Sequence, residues 1–164
     1  MPTSVRLITL HSILIYGDGD GVQKDLTESL KWTKLAAEQG HAKAQYNLGI
    51  MYRNGKGVSP NNRIAAKWYT LAAEQGYAAA QTNLGVMYST GQGVVQDIVY
   101  AYLWVSMAAA NGNELGEKLK GAFARLLTPS QTVEVQSQRV FGTLMIWVHR
   151  IIMESFLEIR FTLS

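Results

Sequence analysis

Residues 41–76 read HAKAQYNLGIMYRNGKGVSPNNRIAAKWYTLAAEQG, and residues 77–112 read YAAAQTNLGVMYSTGQGVVQDIVYAYLWVSMAAANG. Laid one over the other they agree at 16 of 36 positions. A fixed period of this length marks a repeat architecture in which each unit is one supersecondary element. The period extends upstream. Trp32, Trp68 and Trp104 are 36 residues apart, as are Gly40, Gly76 and Gly112, and Tyr16, Tyr52 and Tyr88. Ala36-Ala37, Ala72-Ala73 and Ala108-Ala109 keep the same step.

Each unit reads as two helices. The first is predicted over 42–54, where Ala44, Leu48, Met51 and Tyr52 form one apolar face. The second is predicted over 62–75, with Ile64, Ala65, Trp68, Leu71 and Ala72 on the buried face. Asp25, Asn61 and Asp97 are aligned before the second helices and suit the N-cap. Gly49, Gly85 and Ala73 are small enough to let neighbouring helices approach closely. One helix pair cannot cover its own apolar face, so the units stack. The fold class expected is all-α, an α/α superhelical solenoid of stacked antiparallel helix pairs.

The period also decides a segment that invites another reading. YGDGDGV, from Tyr16, looks like a calcium or phosphate loop. Counted as an EF-hand from Asp18, it has Gln23 where Gly is needed and Ser29 where Glu is needed. No Walker Lys-Ser or Lys-Thr pair follows. The equivalent segments are YRNGKGV from Tyr52 and YSTGQGV from Tyr88, which keep the glycines and lose the acids. Gly19, Gly55 and Gly91 therefore serve as helix stops.

These residues resemble the Sel1-like repeat, a relative of the tetratricopeptide repeat. The resemblance rests on Ala44, Leu48, Gly49, Met51, Tyr52, Gly55, Gly57, Val58, Asn61, Ala65, Trp68, Ala72, Ala73 and Gly76, and on their counterparts from Ala80 to Ala109. It implies a solenoid used as an adaptor for protein–protein contacts, with no fixed substrate. Some cysteine-rich members are described as penicillin-binding or β-lactamase-like. This chain has no S-x-x-K, S-D-N or K-T-G triplet and no cysteine.

The organisation expected is a solenoid over 1–139, with a degenerate first unit at 3–40, repeats at 41–76 and 77–112, and a terminal capping pair at 113–139. Thr128 caps the last helix of that pair, which Pro129 enters at its first position. An amphipathic helix is expected over 140–164, with Arg150, Glu154 and Glu158 as its polar stripe. Three readings of this tail stay open: a cap on the solenoid end, a self-association or partner-docking element, and a membrane-surface contact, the last the least favoured. A spanning helix would need about 20 apolar residues.

Composition narrows the function. The 164 residues carry a net charge of +3 without a run of basic residues, so no nucleic-acid partner is expected. Absence of Cys excludes disulfides and thiolate zinc sites. His11, His41 and His149 lack ligand partners at helical spacing, so no metal and no cofactor are expected. No enzyme and no small-molecule substrate are expected, a hydrolase-like accessory role being the alternative class. The first residues lack an uninterrupted apolar core and an A-x-A site, which favours a cytoplasmic location.

The candidate binding surface lies on the first helices. Lys43, Tyr46, Ile50 and Arg53 form the stripe left over after the stacking face, with Thr82 and Val86 at matching places in the next unit. Asn47 and Asn83 recur beside it. They either bond an extended peptide backbone or satisfy neighbouring helices. If the register continues, Lys118 and Arg125 face the same way. Such a groove, basic with an apolar middle, fits an acidic segment of a protein partner. The competing reading makes Lys43 and Arg53 ordinary solvated surface.

Overall fold

The computed structural model describes residues 26–137. The chain forms two compact units, Met1–Arg125 and Leu126–Ser164. The first contains six helices among its described residues: α1 (Leu26–Glu38), α2 (Ala42–Asn54), α3 (Asn62–Glu74), α4 (Ala78–Thr90), α5 (Ile98–Ala110) and α6 (Glu114–Ala124). Each packs on the next in order, and α4 also touches α6. This is the expected α/α solenoid, and α2 starts and stops where the period places it. In the second unit residues 129–137 are helical, and Thr128 Oγ1 accepts from the Gln131 N–H while Gln131 Oε1 accepts from the Thr128 N–H. That reciprocal pair is a capping box. Asp25, the segment from Tyr16, the degenerate first helix and the helix expected over 140–164 lie outside the described residues.

The core clusters bridge successive units, and the two helices of each unit also pack closely on one another. Ala36 and Ala37 of α1 pack with Ala44, Leu48 and Met51 of α2, and Trp68 from α3 closes that cluster. One period later Ala72 and Ala73 pack with Ala80, Leu84 and Met87, and Trp104 closes the cluster from α5. Leu48 and Leu84 are almost wholly buried, each a burial worth about 1.5–3 kcal/mol. A third cluster joins Ala101 and Val105 to Phe123 of α6.

Helix ends use the residues the period points to. Asn61 Oδ1 accepts from the Ile64 N–H at 3.0 Å, and Asp97 Oδ1 accepts from the Val99 and Tyr100 N–H groups at 2.9 and 3.0 Å. Gly55 and Gly91 cap α2 and α4 with φ of 69° and 73°, donating to Met51 O and Met87 O. The next glycine of each loop has a different task. A Cβ on Gly57 would lie 2.6 Å from the Leu26 carbonyl oxygen, and one on Gly93 would collide with the Asn62 carbonyl. Each loop thus seats on the first residue of the preceding second helix.

The buried face of α3 differs from the expected one. Leu71 is 42% exposed, whereas Tyr69 is 0% exposed. The apolar stripe is rotated because Gly49 leaves a slot in α2 that a large ring fills. A Cβ at Gly49 would lie 2.6 Å from Tyr69 Cδ1 and Cε1. In the next unit Val105 fills the slot beside Gly85.

A polar ladder runs along the stack. Gln45 Nε2 donates to Ala37 O at 3.2 Å, and its Oε1 accepts from Gln75 Nε2 at 2.7 Å. Gln81 Nε2 donates to Ala73 O at 3.0 Å, and its Oε1 accepts from Asn111 Nδ2 at 2.9 Å. Both glutamines are buried. Each ties the start of a first helix to the ends of the second helices on either side.

Candidate functional site

The stripe on α2 and α4 is not uniform. Lys43 is exposed; Tyr46, Asn47, Ile50, Arg53, Asn83 and Val86 are half-buried. Ile50 and Tyr46 lean on the cluster between α3 and α4. Thr82 departs from expectation. It is 3% exposed, and its hydroxyl is engaged with Ala78 O at 3.1 Å and Asn113 Oδ1 at 3.0 Å. A side chain so placed joins α4 to the start of α6 and offers nothing to a ligand. The reason is the close approach of α4 to α6. Lys118 and Arg125 are exposed.

Three tyrosines pack together beside the stripe. The Tyr46 ring lies 5.8 Å from that of Tyr69 and 5.0 Å from that of Tyr77, tilted about 40° to each. Such offset aromatic pairs add roughly 0.5–1.5 kcal/mol beyond area burial. Burial and then Tyr77 push the Tyr46 hydroxyl above its ordinary 10.0, while Asn83 and Arg53 pull the other way. Burial likewise raises Tyr69, against the pull of the Arg53 guanidinium. Both phenols are therefore neutral donors at physiological pH. The Tyr69 hydroxyl is wholly buried, and although Arg53 and Asn83 approach it, neither completes a well-formed hydrogen bond.

Charge is one-sided here. Neither α2 nor α4 contains an Asp or Glu. The ion pairs among the described residues are Lys31–Glu28, Lys34–Glu38 and Lys120–Glu117, so Lys43 and Arg53 have none. Among the described residues no group of three His, Asp or Glu side chains is placed to hold a metal ion, and no helix is long and apolar enough to cross a membrane.

Pattern reading identified Tyr46, Arg53 and Asn83 but not Tyr69, Tyr77 or the ladder glutamines. Tyr69 stands on a second helix next to the periodic Trp68, and its reach across Gly49 has no sequence signature. Gln45 and Gln81 do recur with the period, which was the available signal.

A model of the Sel1 repeat matches residues 12–41, 42–77 and 78–113. Among solved structures, a protective antigen of uropathogenic Escherichia coli strains displaying an SLR fold is 32% identical, with a TM-score of 0.70 over 78% of this chain and 27% of its own. A Sel1 repeat protein from Oxalobacter formigenes is 36% identical, with a TM-score of 0.68 over 75% of this chain and 52% of its own. This chain thus spans about a quarter of the first protein and half of the second. Cysteine-rich protein B of Helicobacter pylori, at 20% identity and a TM-score of 0.60 over 71% of this chain and 92% of its own, shares the fold. No curated protein matches the chain.

Proposed function

Because this chain belongs to the Sel1 repeat family, whose fold commonly serves as a protein-interaction scaffold, we propose that it is a non-enzymatic adaptor docking an acidic segment of a partner protein along α2 and α4. Lys43, Tyr46, Asn47, Ile50, Arg53, Asn83 and Val86 form the surface; Thr82 is left out because it is buried. The observation that carries the reading is the acid-free pair of first helices, whose cations Lys43 and Arg53 are in no ion pair among the described residues. Buried cations normally find carboxylates, and a partially buried Arg53 without one among the described residues leaves that place to a ligand. Ile50 and Val86 supply the apolar middle. Asn47 and Asn83 offer amide donors and acceptors to an extended backbone.

The test is affinity capture from a host lysate by the wild-type chain and by Lys43→Glu with Arg53→Glu. Reversing two charges changes the local charge by four, enough to abolish docking of an acidic segment. Unchanged capture by a variant that keeps its helical circular-dichroism signal refutes the reading.

A further inference from the structure

The first helices repeat one contact along the stack. The Tyr46 ring on α2 lies 5.0 Å from that of Tyr77 at the start of α4, and one period later the Thr82 hydroxyl on α4 lies 3.0 Å from Asn113 Oδ1 at the start of α6. α2, α4 and α6 therefore stand side by side. α6 also keeps the register, since Gly116 and Phe123 are buried where α4 buries Ala80 and Met87. That register places Arg53, Ser89 and Arg125 in one row across the three helices. Arg53 and Ser89 are half-buried, Arg125 is exposed, and neither arginine is in an ion pair among the described residues. The middle of the row is neutral. α4 carries no charged side chain, the Ser89 hydroxyl donates to Val86 O at 2.8 Å, and the first acid after α4, Asp97, caps α5. The acids of α6, Glu114 and Glu117, lie in its first turn, at least about 12 Å along the axis from Arg125.

We propose that Arg53 and Arg125 each hold one carboxylate of a single extended segment whose uncharged middle crosses α4 at Ser89. This rests on the docking reading above, extends the surface to α6 and adds a spacing rule. A guanidinium presents a fork of donors that matches a carboxylate. Packed helices lie about 8–10 Å apart, so the two steps from α2 to α6 span roughly 16–20 Å. An extended chain advances about 3.3 Å per residue and turns alternate side chains to one face. The even separation nearest that span is about six residues, so the two acids fall at i and i+6. Arginine at a helix C-terminus also complements the helix dipole, but that role sets no rule for the acids of a ligand.

The full chain, labelled with nitrogen-15, is titrated at low salt with blocked nine-residue peptides of glycine and serine. These carry two aspartates six apart, two aspartates two apart, or one aspartate. The expected result is saturable shifts at Arg53 and Arg125, with the six-apart peptide about fivefold tighter than either of the others. Arg125→Ala should bring the six-apart peptide down to the one-aspartate affinity while the helical circular-dichroism signal persists. Ser89→Arg fills the neutral gap and should raise the affinity of the two-apart peptide. Equal affinity of the six-apart and two-apart peptides overturns the proposal. So does an Arg125→Ala variant that still prefers six, a Ser89→Arg variant without effect, or the absence of saturable binding. Shifts at both arginines that follow dilution of the chain alone, or that phosphatidylserine vesicles produce and the peptides do not, overturn it in favour of a second copy or a lipid surface. If Lys43→Glu with Arg53→Glu abolishes partner capture while peptide affinity ignores spacing, the spacing rule falls and the docking surface stands. If that double reversal leaves capture intact, the docking reading fails and this proposal with it.

Discussion

Gly49→Ala and Gly121→Ala are the same substitution in two helix interiors, and the structure assigns them opposite signs. Alanine is the better helix former by roughly 0.5–1 kcal/mol. At Gly121 a new Cβ meets nothing within 4 Å, so that gain is realised in full. At Gly49 the new Cβ would lie 2.6 Å from two carbons of the Tyr69 ring and 3.2 Å from a third. Comfortable carbon contacts lie near 3.5–4.0 Å, so the overlap is about 1 Å. The ring is wholly buried against Tyr46 and Gly49, both on α2, so α2 and α3 must part. Overpacking of this kind costs about 1–3 kcal/mol, leaving a net loss of roughly 1–2 kcal/mol after the helix gain. Thermal unfolding of the full chain, followed by circular dichroism at 222 nm, measures both variants. Gly121→Ala should raise the melting temperature by about 1–3 °C and Gly49→Ala should lower it by roughly 3–6 °C. If Gly49→Ala matches or exceeds the wild type, Tyr69 does not occupy the slot and the rotated face of α3 is wrong.

Gln81→Glu removes the donor that serves Ala73 O and puts a carboxylate against a carbonyl. It should lose about 2 kcal/mol at neutral pH. Protonation of the new carboxyl restores an O–H donor, so the deficit relative to wild type should shrink towards about pH 4; a pH-independent deficit would mean that Gln81 acts by shape alone. At the alkaline end, Tyr46, Tyr69 and Tyr88 all have hydroxyls raised above 10.0, mainly by burial. The folded chain therefore holds those protons more tightly than the unfolded chain. Their contribution is complete below pH 10 and fades as pH climbs through the higher folded values. Urea midpoints of the wild type should fall as pH rises above about 10, and those of Tyr69→Phe should fall less steeply; identical slopes would show that Tyr69 is not shielded.

Most of the scaffold was readable because its signals are local and repeated. Asn61 and Asp97 cap the helices they precede, and Gly55 and Gly91 end the helices they follow. Capping depends on a few neighbouring residues, so position in the chain is enough. The face of α3 was not readable in the same way. Leu71 and Tyr69 are two positions apart, and the choice between them is made by a vacancy on another helix, at Gly49. Thr82 misled for a similar reason: its exposure is decided by how near α6 comes to α4, which no residue on α4 encodes. Polar Gln45 and Gln81 look solvent-facing on a helical wheel, although their two-sided hydrogen bonding lets them be buried. The candidate site was half visible. Tyr46, Arg53 and Asn83 came from spacing, whereas Tyr69, whose ring packs beside Tyr46, comes from the neighbouring helix.

The glutamine ladder also says where copies could be added. Thirty-six residues after Gln81 stands Glu117, which is exposed and pairs with Lys120 at 3.2 Å. An ionised carboxylate has no proton to give a carbonyl, so α6 closes the series of rungs even though it lies where the next first helix belongs. Tandem duplication upstream of residue 114 would therefore yield a longer array with every rung intact. A copy spliced in after α6 would begin on a junction that has lost its fastener, and the natural ruler for lengthening this molecule is a whole block inserted ahead of it.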